Sequence, residues 1–178
     1  MRLIVFSDSH GRTAMIKRAA DAHFSDPATG GIVHLGDGYD DLSSVDTRGL
    51  SVMRVKGNYE DYMYPVTLRR DDVPRELLFE LGGYRILIMH GHRFDVKNGW
   101  ERAAAYAAEK EADLLMFGHT HVMLEKYLPA GECVRNTVLR KPLYIFNPGT
   151  AGAGFIHSYG VVDLTPGGIL MSHARDDR

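Results

Sequence analysis

Leu3-Ile4-Val5-Phe6-Ser7-Asp8-Ser9-His10 is an apolar run that gives way at once to an acid and an imidazole. Such a run has the length of a strand buried on both faces, and the polar residues begin where that strand would end. Behind it, residues 12–24 carry Met15, Ile16, Ala19, Ala20, His23 and Phe24 at helical spacing, and residues 32–35 form a second apolar run. Strand, helix and strand in that order predict a βαβ unit with a parallel pair. The same apolar pattern recurs at 52–55, 86–89, 114–117 and 143–146, each read as a strand buried on both faces.

Further elements fall between these runs. Residues 77–81 and 84–89 flank Gly82-Gly83 and predict a hairpin; residues 155–164 and 169–172 flank Gly167-Gly168 and predict another. Asn98, with Glu101 in the capping-box position and alanines at 103–105, predicts a second helix that starts at Asn98 as N-cap and ends before Asp113. No repeat, low-complexity tract or linker divides the chain, so residues 1–178 are read as one domain. The class is α/β: two mixed sheets stacked face to face, or one large mixed sheet, with helices outside.

Composition narrows the function classes. With 178 residues, 44% hydrophobic and 25% charged, the chain falls outside disordered, collagen-like and coiled-coil compositions. Its 21 basic and 23 acidic residues leave a charge of −2, so there is no bulk positive field to hold a nucleic-acid backbone. Cys133 stands alone and cannot form an intrachain disulfide, which suits a reducing compartment. No run reaches the roughly 18 apolar residues of a membrane span, nor does the start resemble a signal peptide, so the expected location is the cytoplasm.

Nine histidines are present, and their placement matters more than their number. Asp8 and His10 follow the first apolar run, Asp37 the second, Asn58 the third, His90 the fourth, and His119 and His121 the fifth. In α/β sheets ligands bind at the carboxyl ends of strands, so these side chains should converge on one edge. Gly11, Gly36, Gly57, Gly91 and Gly118 adjoin them, as tight strand-to-loop turns require. Imidazole, carboxylate and amide oxygen suit Mn, Fe, Zn or Ni. The set is too large for one catalytic ion, but it serves two if a carboxylate bridges, and a pair about 3.5 to 4 Å apart clamps the attacking and leaving oxygens of displacement at phosphorus. Two divalent ions against Asp8 and Asp37 leave the centre positive, which favours an anionic substrate.

Asp8-Ser9-His10, Gly36-Asp37, Gly57-Asn58, His90-Gly91-His92 and Gly118-His119-Thr120-His121 resemble, in order, the motif set of the calcineurin-like metallophosphoesterases. With Asn147-Pro148-Gly149-Thr150 and the short length, the chain is similar to the small bacterial and archaeal phosphodiesterase branch of that superfamily. The resemblance implies an αββα sandwich of two stacked mixed sheets. It implies two divalent ions, manganese first with iron, nickel or zinc as alternatives. One would sit on Asp8, His10, Asp37 and His121, the other on Asp37, Asn58, His90 and His119, with Asp37 bridging. Asp37, Asn58 and His92 form the implied catalytic set, and a hydroxide bridging the ions would attack phosphorus in line. The implied substrate is a small phosphate ester, a diester before a monoester, with no membrane partner and with a homodimer as the oligomeric expectation. The superfamily also holds a membrane-trafficking subunit that works through partner surfaces, so a non-catalytic metal-binding scaffold is the alternative.

One position departs from the pattern. Many superfamily members have His after the Asn of the third motif, where it can protonate the leaving group; here Tyr59 stands there, followed by Glu60. A phenol with an ordinary pKa near 10 is poorly matched to that task, which leaves His92, a metal-bound water or Tyr59 as donor. His92 otherwise orients His90. Ser9 and Thr120 read as hydroxyls that support the backbone, Arg12 as a solvated charge at a helix start, and Asp40 and Asp41 likewise. His23, on the apolar face of the first helix, reads as structural, His34 as a core histidine, Cys133 as structural, and the 147–150 loop as a turn that supports the centre from below. His157 and His173 have no motif around them.

Overall fold

The computed structural model describes residues 1–63 and 72–176. Strand β1 (Arg2–Phe6), helix α1 (Ala14–His23) and strand β2 (Thr29–His34) form the βαβ unit, with β1 and β2 parallel. Strand β3 (Ser51–Arg54) adds in parallel to β2, and helix α2 (Asn58–Met63) follows it. Strands β4 (Glu76–Leu81) and β5 (Tyr84–Met89) form the hairpin through Gly82-Gly83; α3 (Glu101–Glu109) and β6 (Leu114–Phe117) come next. Strand β7 (Met123–Leu128), the short pair β8 (Cys133–Val134) and β9 (Thr137–Val138), β10 (Leu143–Pro148), β11 (His157–Thr165) and β12 (Gly168–Asp176) complete the order.

Two mixed five-stranded sheets result, ordered β12-β11-β1-β2-β3 and β4-β5-β6-β10-β7. Strand periodicity builds the layers. Leu3, Val5, Val33 and Leu35 of one sheet meet Ile86, Ile88, Leu114 and Met116 of the other in a shared core. The alternate residues point outward: Ile4, Phe6 and Ile32 pack with Met15, Ile16 and Ala19 of α1, while Leu87, Met89, Leu115 and Phe117 pack with Ala103, Ala104 and Ala107 of α3. Burial on both faces explains why β1, β5 and β6 read as unbroken apolar runs. Placing the strands in two stacked sheets resolves the choice between one sheet and two.

Three local expectations differ from the structure. The apolar run at 52–55 predicts a fully buried strand, yet β3 is an edge strand, and Val52 is 38% exposed because only β2 pairs with it. The second helix starts at Glu101 with Trp100 as N-cap; Asn98 instead donates its Nδ2 to Asp95 Oδ1 at 2.9 Å. The last turn is Pro166-Gly167, since Thr165 pairs directly with Gly168. No described helix is long and apolar enough to cross a membrane.

Candidate metal centre

The carboxyl ends of β1, β2, β5 and β6 lie side by side, and backbone hydrogen bonds tie the loops that leave them. Asp8 N donates to Gly36 O at 3.0 Å, His10 N to Asp37 O at 3.1 Å, and Gly118 N to His90 O at 3.1 Å. Asp8, His10 and His121 form one group of ligand atoms, and Asp37, His90 and His119 a second; within each, the atoms lie within 4.8 Å of one another. Asp37 lies between the two, with Oδ2 3.4 Å from His90 Nε2 and 3.8 Å from His10 Nε2. Nε2 of His121 is 3.1 Å from Asp8 Oδ1, and Nδ1 of His119 is 3.2 Å from His90 Nε2.

Asn58 opens α2, and its Oδ1 is buried with no hydrogen-bond partner; among the described residues the only other such side-chain atom is His92 Nδ1. A buried acceptor left unmatched costs about 1–3 kcal/mol, so its retention on the residue before Tyr59, whose N–H binds Asp37 Oδ1, fits a cation as the missing partner. The donor set fits the same group. His90 Nδ1 donates to Leu35 O at 2.8 Å, which points Nε2 at the carboxylates as a ligand should be pointed. His92 lies alongside, its ring centroid 5.4 Å from that of His90 and 6.0 Å from that of His119.

These loops carry backbone strain. Asp8, His10, Asp37, His119 and His121 have φ of 55°, 48°, 56°, 66° and 60°, the left-handed region that non-glycine residues adopt at a cost of about 1–3 kcal/mol each. The glycines permit close approach of the loops. A Cβ on Gly36, whose φ is 96°, would meet Gly57 N at 2.5 Å, and one on Gly57 would overlap Asp37 Oδ1.

Protonation follows from the neighbours. Burial works to raise the Asp8 carboxyl, but the His121 hydrogen bond, the charge of His90 and the Ser7 hydroxyl outweigh it and hold the group below the usual carboxylate range. Asp37 is likewise lowered against the effect of its burial, by His90 and the Tyr59 N–H. His90 is raised, since Asp37 and Asp8 overcome its burial, and burial with the charges of His90 and Lys97 brings His119 down to about 4. At neutral pH both carboxylates are thus ionised and His119 is neutral, the forms that bind metal.

Supporting residues emerge that sequence reading missed or undervalued. The Glu60 carboxylate, 4% exposed, accepts Asp37 N at 3.1 Å, Gly38 N at 2.5 Å and Gly57 N at 2.7 Å. Its sequence signal is a capping box: Gly57 precedes α2, and Glu60 occupies the position that reaches back to the N-cap N–H. Asp41, expected to be solvated, accepts Ser9 Oγ at 2.6 Å and Gly11 N at 2.8 Å and so braces the first loop. The 147–150 loop underlies the centre. Asn147 Nδ2 donates to Gly118 O and Thr120 Oγ1, both at 3.0 Å, and Thr150 Oγ1 donates to Asp8 O at 2.9 Å. Ser9 and Thr120 thus bond backbone and supporting side chains, and Arg12 is exposed. His23 bonds Tyr159 Oη at 3.0 Å; Cys133 is exposed on β8.

His34 is a core histidine with both nitrogens engaged. Gly36 N donates to its Nδ1 at 3.2 Å, so Nε2 carries the proton toward Ser9 Oγ at 3.1 Å. Burial pushes its pKa from 6.5 down to about 3, so the folded chain keeps His34 neutral where the unfolded chain takes a proton. Between those values falling pH therefore removes stability, by about 1.4 kcal/mol per pH unit. In urea unfolding of metal-free protein at pH 7 and pH 5, the wild type should lose clearly more stability than His34→Gln; equal losses would refute this account.

Comparison with known proteins gives the same reading. A model of the calcineurin-like phosphoesterase superfamily domain matches residues 1–166. The probable metallophosphoesterase YsnB of Bacillus subtilis is 31% identical over 153 residues, which cover 84% of this chain and 75% of that protein. Among solved structures, an archaeal phosphodiesterase superposes with a TM-score of 0.64 at 17% identity, covering 98% of this chain and all of the other. Vps29 of Entamoeba histolytica complexed with Zn²⁺ gives 0.65 at 19% identity, covering 98% and 99%. The sandwich, the two ligand groups at its strand ends and the family match over nearly the whole chain agree, and the chain belongs to the calcineurin-like phosphoesterase superfamily.

Proposed function

We propose that the protein hydrolyses phosphate esters, diesters before monoesters, at a centre of two divalent ions. Asp8, His10, Asp37 and His121 would hold one ion; Asp37, Asn58, His90 and His119 would hold the other. The observation that carries this reading is that Asp37, a member of one ligand group, also brings its Oδ2 within 3.8 Å of His10 Nε2 in the other, while the buried Asn58 Oδ1 has no partner. When bound, such a pair of ions supplies an activated water and offsets charge on the phosphate. The chain's own contribution is to keep both carboxylates ionised, to fix the His90 ring through Leu35 O and to hold the loops in strained conformations that suit a preformed site. Preference for diesters draws on the likeness to the archaeal phosphodiesterase.

His92 is the proton donor in this reading. Its Nδ1 is buried without a partner beside His90 and His119, whereas Tyr59 packs its ring edge-on against His10 at 5.0 Å and spends its backbone N–H on Asp37 Oδ1 at 2.8 Å. Burial, then the charge of His90, lowers His92, so its protonated imidazolium is a stronger acid than that of an ordinary histidine, and it is this form that would give its proton to the leaving oxygen and return to neutral imidazole. General acids contribute about 10²–10⁴-fold where the leaving group is poor. His92→Ala should therefore slow an alkyl diester at least about tenfold more than a p-nitrophenyl diester; an equal effect on both would remove His92 from this role.

The deciding assay is hydrolysis of bis-p-nitrophenyl phosphate and p-nitrophenyl phosphate by chelator-stripped protein with and without Mn²⁺. Turnover that requires the ion and favours the diester is expected. The likeness to Vps29 favours a second reading, a scaffold acting through partner surfaces. Absence of turnover with any divalent ion, together with confirmed metal binding, would favour that one.

A further inference from the structure

Beside the centre runs a cleft of about 390 Å³, within the range of small-molecule sites. Trp100, Val122, Met123 and Leu124 give it apolar walls, and Lys97, Asn98 and Thr120 are its polar members. Thr120 lies between His119 and His121 in the chain, and the charge of Lys97 acts on the His119 ring, so the cleft lies close to the second ligand group. Lys97 is exposed, and its positive charge reaches the His119 ring, helping to keep that imidazole neutral. Val122 is 65% exposed, and Lys126 Nζ lies 4.8 Å from the Trp100 ring centroid, a cation–π contact that fixes the indole. An apolar cleft with a cation, opening beside a phosphate site, matches a ligand that is anionic at one end and apolar at the other.

We propose that this cleft receives the organic arm of the ester that remains on phosphorus, an aromatic or aliphatic apolar group, while Lys97 offsets the charge of the phosphate. The inference rests on the phosphoesterase reading, and its test separates the two. Methyl, phenyl and octyl p-nitrophenyl phosphates share one leaving group and differ only in the retained arm. With Mn²⁺-loaded protein, kcat/KM for the phenyl or octyl ester should exceed that for the methyl ester by about tenfold, the gain expected from burying a modest apolar surface. The better of the two tells a ring from a chain. Val122→Asp should bring the ratio within about twofold, while Val138→Asp, 61% exposed on β9 in a different part of the surface, should leave it unchanged. Equal rates for all three esters would overturn the cleft assignment and leave the phosphoesterase reading standing.

A binding readout is independent of turnover. Trp100 is the chain's single tryptophan, so its emission reports on the cleft directly. Titration of Mn²⁺-loaded protein with phenylphosphonate should change that emission saturably, at concentrations at least about fivefold below those needed for methylphosphonate, and Val122→Asp should erase the difference. Equal titrations of the two phosphonates would overturn the inference even if every ester proved inert.

Discussion

Alanine at position 37 is expected to abolish metal-dependent phosphoester turnover, lowering kcat/KM at least about 10³-fold, or about 4 kcal/mol of transition-state stabilisation. Asp37 faces both ligand groups, its Oδ2 lying 3.4 Å from His90 Nε2 and 3.8 Å from His10 Nε2. It is 3% exposed, so no water-borne ligand easily replaces it. Loss of the carboxylate removes a charge that both ions would share, and it leaves His10, His90 and His119 as neutral or mutually repelling imidazoles. Asp37→Asn separates charge from shape, because its amide oxygen can still accept the Tyr59 N–H that Oδ1 accepts at 2.8 Å. That variant should fold and melt close to wild type, yet bind fewer than two equivalents of Mn²⁺ by elemental analysis after dialysis. A variant Asp37→Ala that kept most of the wild-type rate at saturating metal would show that the carboxylate does not bridge.

Strand-end chemistry made the centre legible in the sequence. Each buried run that closes on Asp, Asn or His contributes to one sheet edge, and parallel neighbours such as β1 with β2 and β5 with β6 place those ends together. What could not be read was anything set by a partner distant in sequence. Val52 looks like a buried strand residue until it is known that β3 has a neighbour on one side alone. Strand β7 alternates half-buried and exposed positions, so its sequence Met-Leu-Glu-Lys-Tyr-Leu lacks the unbroken apolar run that marked the others. Asn98 carries a helix-cap signature, but Asp95 competes for its amide and the helix begins later. Asp41 supports the centre through bonds to Ser9 and Gly11, contacts that no local pattern announces, whereas the bonds of Asn147 to Gly118 and Thr120 match the supporting role expected of the 147–150 turn.

Another of the supporting residues carries the second large prediction. Glu60 lies in a six-residue helix, beside an exposed Tyr62, and by composition it is one acid among many. Its carboxylate nonetheless accepts three buried N–H groups, from Asp37, Gly38 and Gly57, and so joins the loop after β2 to the start of α2. Those loops hold Asp37 at a φ of 56°, a conformation that persists only while its surroundings enforce it. Glu60→Ala leaves three donors without an acceptor, each at about 1–3 kcal/mol, so the loss should reach roughly 3 kcal/mol or more. For a chain of 178 residues that corresponds to a fall in Tm of roughly 6–12 °C. Metal affinity should also fall, by about 10–100-fold, because Asp37 loses the bond that orients its backbone. Glu60→Gln keeps one acceptor oxygen but turns an amide N–H₂ toward the remaining donor, so it should recover part of the Tm and part of the affinity. Calorimetry and Mn²⁺ titration of the three proteins give the answer: Glu60→Ala melting within 2 °C of wild type with unchanged metal affinity would show that Glu60 braces nothing.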